Sequence, residues 1–146
     1  MGEDRRLYRG KRVDTDDWIY GFYAKSGDKA YIIKDTDIAF AYVTMKEVVP
    51  ETVCEFTGLK DNNGKKIFEG DIVKCTDANY AYDFTAVVLF GNPNGEYNWG
   101  FQLKRIGGAE ANTDILLWVD MEDAGAYIEV VGNIHDNPEL LKGEGE

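Results

Sequence analysis

Residues 57–74, TGLKDNNGKKIFEGDIVK, force two reversals of chain direction in quick succession. Asp61-Asn62-Asn63-Gly64 supplies residue types that tolerate the left-handed backbone of a tight turn. Glu69-Gly70-Asp71 is a second turn, and it runs straight into Ile72-Val73-Lys74. Gly-Asp followed by alternating β-branched residues is common where small β-barrels begin a strand. Gly64, Gly70 and Asp71 are therefore read as structural turn residues. A chain folded around such turns is built of short strands.

The rest of the sequence agrees. Nine Tyr, seven Phe and three Trp favour strands over helices. Asp17 to Lys25, DWIYGFYAK, is rich in strand formers, and Gly21 in its middle signals a bulge or a close backbone contact. Ser26-Gly27-Asp28 is a turn, with Lys29 to Lys34 as hairpin partner. Residues 40–49 suit a strand that Pro50 stops, and Val53 and Phe56 are core candidates beyond it. Residues 77–83 read as a loop with exposed tyrosines, Thr85 to Phe90 as a central strand, and Gly91-Asn92-Pro93-Asn94-Gly95 as a turn. Tyr97 to Arg105 alternates and reads as a strand that Gly107-Gly108 breaks, whereas 109–124 fits a strand or a short helical turn equally well. Tyr127 to Ile134 is the last strand. Asn137 then has the character of a helix cap, with Pro138 at the first helical position and Glu139 in the first turn. The tail KGEGE is too polar to pack. YGFYAK (20–25) and WGFQLK (99–104) echo one another, as two strands meeting the same bulge requirement.

Three stretches, in order, carry a kinship. They are Tyr8-Arg9-Gly10-Lys11-Arg12 with Asp17-Trp18-Ile19-Tyr20-Gly21, the 57–74 segment, and Glu129-Val130-Val131-Gly132-Asn133-Ile134-His135-Asp136-Asn137-Pro138-Glu139-Leu140-Leu141. Together they resemble the YopX-like proteins of bacterial phages and prophages, over roughly residues 8–141. The resemblance implies a phage or prophage origin, a mainly β fold containing a small SH3-like barrel, and self-association. It brings no established activity and no catalytic residues. The fold expected is mainly β: a partly open SH3-like barrel of about five strands with additional strands and a short C-terminal helix. It forms a single domain, 1–146. Its weakest seam, RIGGAEANTD at 105–114, would divide a barrel at 1–105 from a C-terminal extension at 106–146.

No apolar run approaches the roughly 18–20 residues that span a bilayer, and MGEDRRLYRG has no signal-peptide stretch. Leu7 stands where N-myristoylation would need a hydroxyl residue. The expected location is the cytoplasm of a bacterial host, with no membrane partner. Cys54 and Cys75 are too few for a disulfide scaffold or a structural zinc site, and read as reduced, semi-buried residues. Residues 1–50 hold nine Lys/Arg and nine Asp/Glu, whereas 51–146 hold seven and eighteen, so the whole −11 lies there. Such a surface repels phosphate backbones. The one local basic cluster is Arg5, Arg6, Arg9, Lys11 and Arg12, read as a solvated arm and the candidate interaction arm for nucleic acid.

Reactive constellations are scarce. Asp14-Thr15-Asp16-Asp17 and Asp35-Thr36-Asp37 start like calcium loops, but Trp18 and Ala39 occupy the third ligand position. Gly64-Lys65-Lys66 lacks the upstream Gly and the Ser/Thr of a phosphate loop. Cys54 or Cys75 with His135 would make a nucleophile pair only if folding joined them, and His135 in IHDNPEL reads as a structural hydrogen-bonding residue. Glu69 with Asp71 is a carboxylate pair better explained as turn chemistry. Tyr20, Tyr23, Tyr31, Tyr80, Tyr82, Tyr97 and Trp99 lack the basic ring of a nucleic-acid platform, and fit core or a protein interface. No catalytic, cofactor-binding or metal residue is assigned. The reading is a non-enzymatic phage or prophage accessory protein acting through contacts with a phage or host protein and with its own copies. The alternatives are a nucleic-acid-binding module using the basic arm, and an enzyme with unrecognised Cys or carboxylate chemistry.

Overall fold

A computed structural model describes residues 7–34, 45–77, 82–91, 100–106, 112–115 and 126–142. The chain is mainly β, in two antiparallel sheets, and neither sheet closes into a barrel. It divides into two compact units, Met1–Gly58 and Leu59–Glu146.

The first unit holds β1 (Tyr8–Lys11), β2 (Trp18–Ser26), β3 (Lys29–Lys34), β4 (Met45–Val48) and most of β5 (Cys54–Lys60), paired in the order β4-β3-β2-β1-β5. Alternation places Ile19, Ala30, Ile32 and Val48 on one face as a small buried core, with Tyr8 and Val53 against it. Just past β1, Arg12 bridges back to Val48, Val13 N–H donates to the Glu47 carbonyl at 3.0 Å, and Val49 N–H donates to the Lys11 carbonyl at 2.8 Å. These bonds tie the end of β1 to β4, with two strands between them in the sheet, so the sheet curls. Of the partly open SH3-like barrel expected from sequence, the structure shows the mainly β sheet and this curl, and no closed barrel among the described residues. A 3-10 turn at Pro50–Thr52 follows β4, where Pro50 ends the run.

The second unit holds the end of β5, its hairpin partner β6 (Lys66–Phe68), β7 (Asp71–Asp77), β8 (Tyr82–Gly91), β9 (Gly100–Arg105), β10 (Asn112–Asp114) and β11 (Ala126–Asn133). The last five form a sheet in the order β10-β9-β8-β7-β11, with β8 in its middle. Ile67, Val73, Cys75, Ala86, Val88, Leu103, Ile115 and Ile128 are its core. The seam expected at 105–114 is bridged: Asn112 to Asp114 pair back onto Lys104 to Gln102. Asp77 and Tyr82 lie in β7 and β8 rather than in a loop.

The short C-terminal helix expected from sequence is here a five-residue 3-10 helix, Pro138–Lys142, rather than an α-helix. Asn137 accepts from Leu140 N–H with its main-chain carbonyl, at 3.0 Å. Its side chain turns back to Asn133 instead, and Leu141 is 43% exposed rather than sheltered. Asp35 to Asp37, residues 40–44, the 92–95 turn, Tyr80, Tyr97, Trp99, Gly107-Gly108, most of 109–124 and the KGEGE tail beyond Lys142 lie outside the described residues.

Candidate functional site

The turn residues in the second unit hold backbone rather than ligand. Gly64 N–H donates to the Asp61 carbonyl at 3.0 Å and Asp61 N–H to the Lys65 carbonyl at 2.8 Å, with Gly64 at φ 83°. That is a three-residue hairpin loop ending on a left-handed residue. Asp61 Oδ1 accepts from Asn63 N–H at 2.9 Å and Lys65 N–H at 2.8 Å. Gly70 sits at φ 87°; its N–H donates to the Val88 carbonyl and its carbonyl accepts from Ile134 N–H. Asp71, 1% exposed, accepts from Phe68 N–H through Oδ2 at 2.8 Å. A carboxylate so enclosed is poorly placed as a general base for a soluble substrate.

The third stretch repeats this chemistry. Asn133 Oδ1 accepts from His135 N–H and Asp136 N–H, both at 2.9 Å, and Asn133 Nδ2 donates to Asp136 Oδ2. Asn133 therefore organises the His135 corner, a role that the sequence expectation of a helix cap at Asn137 and Pro138 does not contain. The available signal was an Asn two residues before the turn, the spacing of an Asx-turn. Asp61 and Asn62 were likewise read as turn formers only, yet both also bond β11.

Both cysteines are buried thiols. Cys54 is buried and donates to the Thr52 carbonyl. Burial pushes the Cys75 thiol up to about 12 from its ordinary 9.0, so it is protonated at neutral pH. Among the described residues, no three His, Cys, Asp or Glu side chains gather as a metal site would require.

The basic arm is corrected where it is described; Arg5 and Arg6 lie outside the described residues. Arg9 and Lys11 belong to β1, directly opposite Tyr20 and Trp18 on β2, so all four share one sheet face. The Arg9 guanidinium lies 4.5 Å from the Trp18 ring centre and the Lys11 ammonium 5.5 Å from it. Arg9 is buried, and Lys11 Nζ is 3.6 Å from Asp16 Oδ2. Arg12 makes two hydrogen bonds to Asp14, at 3.0 and 2.8 Å. These hydrogen bonds, helped by the opposite charges, hold Arg12 above its ordinary pKa and Asp14 below its own. Two of the five cations thus belong to β1, and a third, Arg12, is paired just beyond it. Alternate positions with long aliphatic stems that lie along apolar surface were the overlooked signal.

The same register continues that face across β2, β3 and β4. Phe22 lies opposite Ile33, and Ile33 opposite Met45. Tyr20 is 44% and Met45 46% exposed. Aromatic and aliphatic side chains partly open to solvent on one ordered sheet make this the best candidate interaction surface in the first unit. No curated protein matches the chain. A family model described as YopX protein matches residues 7–142.

Proposed function

The chain belongs to the YopX family, and we propose that it is a non-enzymatic accessory protein of a phage or prophage that works through protein–protein contact, with a second copy of itself as the first partner. The observation that supports this reading is the open face carrying Tyr20, Phe22, Ile33 and Met45, with Trp18 held under Arg9 and Lys11. Tyr and Trp anchor protein interfaces because they combine large apolar area with little conformational freedom to lose. Nucleic-acid binding is the weaker reading, since Arg9, Lys11 and Arg12 already have carboxylate or ring neighbours and the chain carries −11 overall. An enzymatic reading has less support still: Cys75 is a protonated buried thiol and Asp71 is enclosed. Among the described residues no helix is long and apolar enough to cross a membrane.

Sedimentation velocity at low and high salt, with and without an oligonucleotide, tests the proposal. Self-association that persists in high salt and is lost in Tyr20→Asp and Met45→Asp supports it. A strict monomer in every condition, or a salt-resistant nucleic-acid complex, refutes it.

A further inference from the structure

β11 is the last strand of the second unit's five-stranded sheet, so among the described residues one of its edges has no neighbouring strand. An open edge is a template for another chain. Here the edge is occupied from within the unit. Asn62 N–H donates to the Ile128 carbonyl at 3.0 Å, and Ile128 N–H donates to Asn62 Oδ1 at 2.7 Å. Two residues further on, Val130 N–H donates to Asp61 Oδ2 at 2.9 Å. Asn62 thus offers Ile128 one donor and one acceptor, as a residue of a next strand would. Glu129, between them, pairs with Lys74 of β7, which fits Ile128 and Val130 turning their main-chain groups outward. The turn that delivers these bonds is itself braced, because the other Asp61 oxygen holds Asn63 N–H and Lys65 N–H.

We infer that the Asp61–Asn62 turn is an edge latch that withholds β11 from a second copy of this chain, and that opening the latch turns β11 into an edge that pairs with β11 of that copy. The occupant follows from the edge itself. Two copies related by a twofold axis present the same antiparallel edge to each other, which is self-complementary. Centred on Ile128, the pairing sets Tyr127 of one copy against Glu129 of the other, avoiding opposed carboxylates. Exposed Tyr127 and Val131 flank Glu129 on the face away from the core. With the latch shut, self-association uses a surface other than β11. The inference therefore bears on the regulation of assembly and does not require the Tyr20 face.

The test compares the full-length wild type with Asp61→Ala/Asn62→Ala, by amide exchange at Ile128 and Val130 and by sedimentation over a range of protein concentrations. Both chains are also prepared with Tyr20→Asp, so that failure of the proposed face and failure of the latch are read separately. In the wild type, the two amides exchange slowly at every concentration. In the latch variant they exchange fast when dilute and slow by about tenfold or more as concentration rises, in step with a gain in mass, as mass action requires. Should the double variant not fold, Asn62→Ala alone keeps the bonds of Asp61, that to Val130 included, and the same test is read at Ile128 alone. A folded variant whose two amides stay fast at all concentrations overturns the inference, as does one whose amides stay slow when dilute.

Discussion

Asp71 is the residue at which a structural and a chemical reading of the Glu69-Gly70-Asp71 turn diverge most sharply. Its carboxylate is 1% exposed and takes Phe68 N–H at 2.8 Å, and Phe68 is itself 2% exposed. Replacing Asp71 by Ala leaves that amide without its acceptor in a place water does not reach. An orphaned buried donor costs about 1–3 kcal/mol, and bonds to an ionised acceptor are about twice as strong as neutral ones, so roughly 3 kcal/mol is expected. Asp71→Asn keeps the shape and an acceptor oxygen while removing the charge, and should cost about 1 kcal/mol. Urea unfolding followed by tyrosine and tryptophan fluorescence measures both, with amide exchange at Phe68 as the local check. The reasoning fails if Asp71→Ala unfolds within about 0.5 kcal/mol of the wild type, the range of an ordinary surface substitution. It also fails if Asn is as damaging as Ala, because the buried charge and not the accepted hydrogen bond would then carry the effect.

Asn137→Ala removes the oxygen that takes Asn133 N–H at 3.2 Å, so it should cost about 1 kcal/mol and speed exchange at Asn133. Leu141→Ser should cost less than about 0.5 kcal/mol, since Leu141 is 43% exposed; both are read by thermal unfolding. Cys75 makes stability fall in alkali: its folded pKa of about 12 lies above its ordinary 9.0, so its contribution is intact below pH 9 and is lost as pH rises towards 12, by about 1.4 kcal/mol per unit at most. Denaturant midpoints of wild type and Cys75→Ala between pH 8 and about pH 11 check this, and the slope should be shallower in the variant. Gly21→Ala should disrupt the β2–β3 pairing, because its Cβ would lie 1.9 Å from the Ile33 carbonyl oxygen. Gly100→Ala meets no atom within 4 Å and should cost only about 1–3 kcal/mol of backbone strain at its φ of 137°; circular dichroism and melting separate the two.

Strands were legible in the sequence where alternation and turn chemistry coincided. The hairpin of β2 and β3 around Ser26-Gly27-Asp28 is one example and the central position of β8 another. β1 was hidden because its alternate residues are Arg9 and Lys11, which look like a solvated arm until Trp18 supplies a surface for their stems. The terminal helix was over-read because Asn-Pro-Glu is local chemistry, and the competing partner of Asn137 is Asn133, on the preceding strand end. The echo of YGFYAK in WGFQLK was real as sequence but has two separate causes: Gly21 is required by the approach of Ile33, whereas Gly100 stands in open space.

The stretches around Asp61, Asp71 and Asn133 explain why kinship was easier to read than activity. Asp61 holds Asn63, Lys65 and Val130, Asp71 holds Phe68, and Asn133 holds His135 and Asp136, in each case through main-chain N–H groups. A short polar side chain that organises backbone must sit at a fixed spacing, so it leaves a strong mark in sequence. A protein-binding face built on a sheet leaves a weaker one, because many aromatic and aliphatic residues fill such a surface equally well. Tyr20, Phe22, Ile33 and Met45 became visible as one face only when the registers of β2, β3 and β4 were known. Substitutions in the turns should therefore read out as stability and those on the face as assembly, with little exchange between the two. Tyr20→Asp that lowers the melting temperature as far as Asp71→Ala would break that division and return the face to the core.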